Sequence, residues 1–127
     1  LDLDFPVCLA ELDLAKVSDL RKTTGHVEEL PQFPGSSRDA AMEAPADLPN
    51  AEIEKAIRKH NEPLLVSADC FDVFRDPGGE KLAADRKSIA YTFLYRSLER
   101  TLKSEEVDAA HAKLLAHLEK SLPISFR

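Results

Sequence analysis

The sequence predicts an α+β domain: an antiparallel four-stranded sheet with two helices on one face, preceded by a short fragment of a neighbouring domain. Three observations carry this. From residue 38 onward, segments patterned as strands and helices follow one another in the order β-α-β-β-α-β, the split βαβ arrangement. Within that order, residues 87–96 alternate cleanly, with Ile89, Tyr91, Phe93 and Tyr95 on one face and Ser88, Ala90 and Thr92 on the other. A sheet covered on a single side needs such a strand. Finally, Leu30-Pro31-Gln32-Phe33-Pro34-Gly35-Ser36-Ser37 has the composition of a connector, which divides the chain into 1–37 and 38–127.

Each element has its own grounds. Residues 5–14 read as a strand, with Cys8, Ala10, Leu12 and Leu14 as its apolar face, and 15–25 as one or two helical turns ending at Gly25. After the connector, Arg38 to Ala44 is a short alternating strand, with Met42 expected in the core and Ala41 outward. Asp47 and Asn50 are candidate N-caps for a helix over 51–60, whose apolar stripe is Ile53, Ala56 and Ile57. Asn61-Glu62-Pro63 ends it. Residues 64–75 form the second strand of the unit. Asp76-Pro77-Gly78-Gly79 is a turn, and 80–86 a polar loop. Ser104 is the expected N-cap of a helix running to about Leu122, with Val107, Ala110, Leu114 and Leu118 at three- and four-residue steps. Pro123 stops that helix, and 124–127 alternate as a last short strand.

Composition narrows the function. The chain has 127 residues, 43% hydrophobic and 31% charged, as in a soluble globular protein. No apolar run spans a bilayer, and the first residues lack the pattern of a signal peptide, so the expected setting is the cytoplasm with no membrane partner. There is no initial Met, and the chain reads as a piece of something longer. The net charge of −6 argues against nucleic-acid binding by bulk charge. It leaves room for a small domain that reads exposed bases by stacking and hydrogen bonding. Charge is uneven: 1–70 carry 7 basic and 14 acidic side chains, and 71–127 carry 10 and 9.

Cys8 and Cys70 lie far apart in apolar stretches and read as reduced, buried thiols. No ligand spacing for a metal is present: His111 and His117 are six apart, and His26 and His60 are isolated. Glu28-Glu29 and Glu105-Glu106 read as surface and first-turn charge rather than catalytic carboxylates, and Gly78-Gly79 as a turn rather than a phosphate loop.

The open face of the sheet is the candidate site. If Phe71 and Val73 point towards the helices, Asp72 and Phe74 point outward beside Ser88, and the parity of the first strand adds Ala41. An aromatic ring, a carboxylate and a hydroxyl on a floor of alanines can hold a planar base. Stacking contributes about 1–3 kcal/mol per base, and a carboxylate can accept from both N1–H and N2–H of guanine. The bland alternative is that Phe74 is covered by the preceding domain and Asp72 is a solvated strand-end charge.

Several short motifs now fall in order: Phe71-Asp72-Val73-Phe74, Arg86-Lys87-Ser88-Ile89-Ala90, Glu99-Arg100-Thr101-Leu102 and Glu105-Glu106-Val107. Together they resemble the ferredoxin-fold anticodon-binding domain that closes the β subunit of bacterial phenylalanyl-tRNA synthetases. Leu30 to Pro34 with Arg38-Asp39 resembles the family's approach to that domain, and Ala10 to Leu14 the last strand of the inactive, catalytic-like module before it. The resemblance covers nearly the whole chain. It implies a ferredoxin-like sandwich at 38–127 and recognition of tRNA(Phe), with the first anticodon base, a guanine, on the sheet. By the same resemblance Asp72 bonds the base, Phe74 stacks on it, and Ser88 and Ala41 line the pocket. Arg86, Lys87, Arg96 and Arg100 are either phosphate contacts or solubility charges.

The parent would be an ATP- and Mg2+-dependent ligase of two α and two β subunits. This piece would have no catalytic residue, metal or cofactor of its own. The alternative from another class is a structural module of the synthetase whose sheet face is covered and touches no base. A single-chain organellar enzyme ends in a similar domain, but Ala10 to Leu14 favours the bacterial β subunit. The sequence departs from the family's pattern in three places. Phe74 stands where Tyr is common, Ala40-Ala41-Met42-Glu43 makes a weaker first strand, and the loop 76–86 is long and charged.

Overall fold

Why the chain folds as it does is clearest at its most regular strand, Arg86–Tyr95, in which buried and half-buried residues alternate along the whole length. Lys87, Ile89, Tyr91, Phe93 and Tyr95 are the buried set. The computed structural model describes residues 6–20 and 30–126, with Asp19 described by its backbone alone. The elements are α1 (Leu14–Asp19), β1 (Ser36–Pro45), α2 (Asn50–His60), β2 (Leu65–Arg75), β3 (Arg86–Tyr95), α3 (Ser104–Ser121) and β4 (Ser125–Phe126). The chain divides into two units, Leu1–Leu30 and Pro31–Arg127.

In the first unit, residues 6–13 form no strand, contrary to the alternation of 5–14; Phe5 itself lies outside the described residues. A six-residue helix stands instead at Leu14–Asp19, where the Asp13 carboxylate accepts from the amides of Ala15 and Lys16. Among the described residues no strand pairs with 6–13, and a lone strand is not stable. Gly25, His26, Glu28 and Glu29 lie outside the described residues.

In the second unit the four strands form one sheet in the order β2-β3-β1-β4, with β1 antiparallel to both β3 and β4, and β2 antiparallel to β3. Both helices pack on one side. Ile53, Ala56 and Ile57 of α2 and Val107, Ala110, Leu114 and Leu118 of α3 share a core with Met42 and with Ile89, Tyr91, Phe93 and Tyr95 of β3. This is the ferredoxin-like α+β fold that the patterning predicts.

The helix starts differ in detail. Pro49, not Asp47 or Asn50, occupies the N-cap of α2, and the Asn50 Oδ1 accepts instead from the buried Tyr91 hydroxyl at 2.6 Å. Burial pushes that phenol up to about 12. Lys103 precedes α3, and Ser104 is its first residue. The Ser104 hydroxyl is taken by the Arg38 guanidinium at 2.8 Å, and Arg38 Nε also meets Asp108 at 2.7 Å, which ties β1 to α3. Glu106 accepts from the Lys103 amide and from both terminal nitrogens of Arg100, and that guanidinium holds its carboxyl down at about 2.

Neither cysteine is buried: Cys8 and Cys70 are free and exposed. His60 is not isolated in space, since its ring lies 4.9 Å from that of His117. His111 is half-buried, with Nδ1 2.9 Å from the Tyr95 hydroxyl, and burial lowers its pKa. Among the described residues no group of three or more His, Cys, Asp or Glu could hold a metal ion, and no helix is long and apolar enough to cross a membrane.

Candidate nucleic-acid interface

The sheet face away from the helices is built row by row from the strand register. Antiparallel partners point to the same side of a sheet. β3 buries its odd-numbered side chains, so its even-numbered partners define the open face. Ala41 and Asp72 both pair with Ala90, which gives a row of Ala41, Ala90 and Asp72. Glu43 and Phe74 both pair with Ser88, which gives the adjacent row. A third row is Asp39, Thr92 and Asp69. With strands about 4.8 Å apart, Ala41 and Asp72 stand roughly 10 Å from each other across Ala90. The register therefore brings Ala41, Asp72, Phe74 and Ser88 together on one face.

Two β-bulges in β2 shape this arrangement. Val66 is an extra residue between Leu65 and Ser67, and Phe71 between Cys70 and Asp72. The second bulge breaks the strict alternation on which Cys70, Asp72 and Phe74 share a face. Cys70 pairs with Tyr91 on the helix side, while Asp72 and Phe74 pair with open-face residues. Phe71 and Val73 do not reach the core: they are 60% and 51% exposed, because the helices do not cover the distal half of this edge strand.

Phe74 is 43% exposed, so its ring offers area for stacking while still resting on the sheet. Asp72 is exposed, and no donor among the described residues engages its carboxylate. Ala41, Ala90 and Ser88 are half-buried and make a shallow floor. Four carboxylates, Asp39, Glu43, Asp69 and Asp72, line this face, and Thr92 donates to Asp39 at 2.6 Å. Such a surface accepts hydrogen bonds and repels phosphate.

The four basic residues singled out from sequence separate in space. Arg86 follows the open-face alternation, and its Nη2 donates to the Glu43 carbonyl at 3.2 Å, beside the Phe74–Ser88 row. Lys87 is 6% exposed on the helix side, where its ammonium donates to the Leu48 carbonyl. Its ammonium is therefore not presented to the open face, as the phosphate role expected of Lys87 requires. Arg96 lies roughly 26 Å along the strand from Ser88, with a buried Nε that has no partner among the described residues. Arg100 is committed to Glu106.

One contributor shows in the sequence only as a turn residue. Asp76 follows β2, and its carboxylate accepts from the amides of Gly78 at 3.1 Å, Lys81 at 2.6 Å and Leu82 at 3.3 Å. The Lys81 amide above all holds its pKa below the ordinary value; desolvation opposes it, and the amides of Leu82, Gly78 and Gly79 add smaller contributions in the same direction as Lys81. The Asp-Pro-Gly-Gly signal marked the turn but not the reach of the carboxylate to residue 82.

Residues 31–127 match the sequence model of the ferredoxin-fold anticodon binding domain. The chain is similar to phenylalanine–tRNA ligase β subunits. It is 41% identical over 108 residues to that of Latilactobacillus sakei, which covers 85% of this chain and 13% of the relative. It is 38% identical over 128 residues to that of a Synechococcus strain, covering 99% and 15%. It is 40% identical over 110 residues to that of Salinibacter ruber, covering 85% and 13%. The chain thus spans about one seventh of the length of these relatives.

Proposed function

The chain belongs to the ferredoxin-fold anticodon binding domain family, and from that premise we propose that it reads the first anticodon base of tRNA(Phe) as part of a phenylalanine–tRNA ligase β subunit. The observation that carries the reading is the pair of adjacent open-face rows, Ala41–Ala90–Asp72 and Glu43–Ser88–Phe74. A guanine laid on the alanines would stack on Phe74 and give N1–H and N2–H to the Asp72 carboxylate, with the Ser88 hydroxyl at its edge. Adenine lacks that pair of donors. The acidic surroundings favour a base with donors and disfavour a phosphate there. Arg86 is the cation best placed to meet the backbone of the same nucleotide.

The same proposal extends to the parent, for which the relatives' names support a ligase with a β subunit. The parent would be a cytoplasmic, ATP- and Mg2+-dependent ligase with two α and two β subunits, its chemistry performed outside this piece. Residues 1–37 would be the tail of the preceding module and its connector. The competing reading is a structural module whose sheet face is covered in the assembly. A titration of a tRNA(Phe) anticodon stem-loop, followed by backbone NMR, separates the two. Shifts centred on Ala41, Asp72, Phe74 and Ser88, weakened when the first anticodon base is changed, support base reading. No shifts, or equal shifts for both hairpins, refute it for this chain.

A further inference from the structure

We propose that Asp76 is a positioning residue for the open-face pocket, locking the connection between β2 and β3 so that Phe74 stays registered against Ser88. The inference rests on the reading of this face as a base pocket and adds to it a residue that never touches the base.

The argument starts from how weakly Phe74 is held by the sheet alone. β2 is an edge strand, bonded to β3 on one side. The Phe74–Ser88 pair is the last but one in the ladder, followed by Arg75–Lys87. Strand ends fray, and an edge strand has no second neighbour to hold it. Ten residues, 76–85, then separate the strands. Hairpin connections usually take two to five residues, so a longer one needs order of its own to keep the final pairs closed.

Asp76 supplies that order. One carboxylate oxygen accepts from Gly78 and the other from both Lys81 and Leu82, so one side chain gathers most of the connection. The Asp76 carbonyl also accepts from the Gly79 amide at 3.1 Å, and Gly79 sits at φ +70, where a side chain would be strained. Leu82, held by the same carboxylate, is 5% exposed and gives the connection an apolar anchor. The return leg is fixed separately: the Ala46 amide donates to Asp85 O and the Arg86 amide to Ala83 O, each at 2.8 Å. Ser88 and Glu43 are thus secured from the β1 side. On the Phe74 side, Arg75 Nη2 reaches the Ala46 carbonyl only at 3.4 Å from an exposed position, so the Asp76 network is the main hold on that end of β2.

The test compares this chain with Asp76→Ala and Asp76→Asn variants, using two anticodon stem-loops that differ only in the first anticodon base, guanine or adenine, at fixed salt and well below each variant's melting temperature. Asparagine keeps one acceptor oxygen and loses the other. The expected result is a graded loss of guanine affinity, at least about fivefold for alanine (the lower end of what one stacked base contributes) and less for asparagine. The guanine-to-adenine ratio should fall with it, because a guanine no longer seated on Phe74 meets the Asp72 carboxylate out of line, and the amide shifts of Phe74 and Ser88 should move in the free protein. If Asp76 only stabilised the turn, its substitution would lower the melting temperature and leave the ratio unchanged, which would overturn the proposal. If alanine prevents folding, asparagine carries the same comparison. Free exchange of the Lys81 and Leu82 amides in the unmutated chain would also overturn it. Failure of the unmutated chain to prefer guanine would instead sink the base-reading function, so the two failures are distinguishable.

Discussion

Substituting Asp72 by Asn tests the base-reading geometry most directly. The carboxylate is exposed on an edge strand and receives no hydrogen bond from any described residue. Its loss should therefore change stability by no more than about 0.5 kcal/mol, the usual range for such surface positions. Its effect on binding follows from the donor count. A carboxylate accepts both guanine donors, whereas the Asn amide accepts one and presents an N–H to the other. A good bidentate pair discriminates by about 1–3 kcal/mol, or about 5- to 140-fold. Because the site is open to water, the lower part of that range applies, and we expect a loss of about tenfold. Fluorescence anisotropy with stem-loops bearing guanine, inosine or adenine at the first anticodon position would measure it. Inosine lacks the N2 amino group and should already bind this chain more weakly, so the substitution should cost less with inosine than with guanine. The dependence on salt should be unchanged, since no phosphate contact is removed. An equal loss for all three hairpins, or no loss, would refute the assignment of Asp72 to the base.

Three further outcomes follow from the structure. Lys87→Met should leave the salt dependence of RNA binding unchanged but destabilise the fold by about 1–3 kcal/mol, because the Leu48 carbonyl loses its donor; denaturant unfolding beside a salt titration checks both halves. His111 is held neutral by burial, with nearby Arg38 adding to the effect and Asp108 opposing it, so its pKa lies below 6.5 in the folded chain. Its contribution to stability is complete above the unfolded value and is lost as pH falls through the folded one; His111→Gln should remove that part of the slope in unfolding midpoints measured between pH 7.5 and 5. Glu106, at about 2 beside Arg100, contributes stability that is present above the ordinary value of 4.5 and lost between there and about pH 2; Glu106→Gln should flatten the acid limb of the same curve.

How far this was legible in the sequence depended on what each segment is pressed against. β3 and the outer part of β1 are buried on one face only, so alternation fixed which side chains face the helices, and with them the placement of Ala41 and Ser88. Lys87 was legible too: it shares the odd parity of Ile89 and Tyr91, and its charge distracted from a position that parity assigns to the interior. β2 was harder. Its bulges at Val66 and Phe71 each insert a residue that alternation cannot detect. Asp72 and Phe74 came out on the open face because both lie beyond the second bulge, while Cys70, just before it, did not. The helix caps were missed for a different reason. Ser104 and Asn50 are good cap residues locally, but Arg38 and Tyr91, distant in sequence, recruit them. The same holds for Asp76, whose partners extend six residues downstream.

The charge on the open face bears on how an RNA could meet it. The shallow alanine floor lies among Asp39, Glu43, Asp69 and Asp72, so a phosphate backbone running across the sheet would pass several carboxylates at close range. Arg86, at the loop end of the face and anchored on the Glu43 carbonyl, is the exception. On the base-reading hypothesis, the nucleotide therefore presents its base to the sheet with its phosphate towards the 76–86 connection. Repulsion from the carboxylates then works as a filter. It costs little to a single base splayed out of its loop, and much to a duplex or to a strand laid flat. An acidic domain with little bulk attraction for nucleic acid can in this way select one base, provided that another part of a larger assembly delivers the RNA.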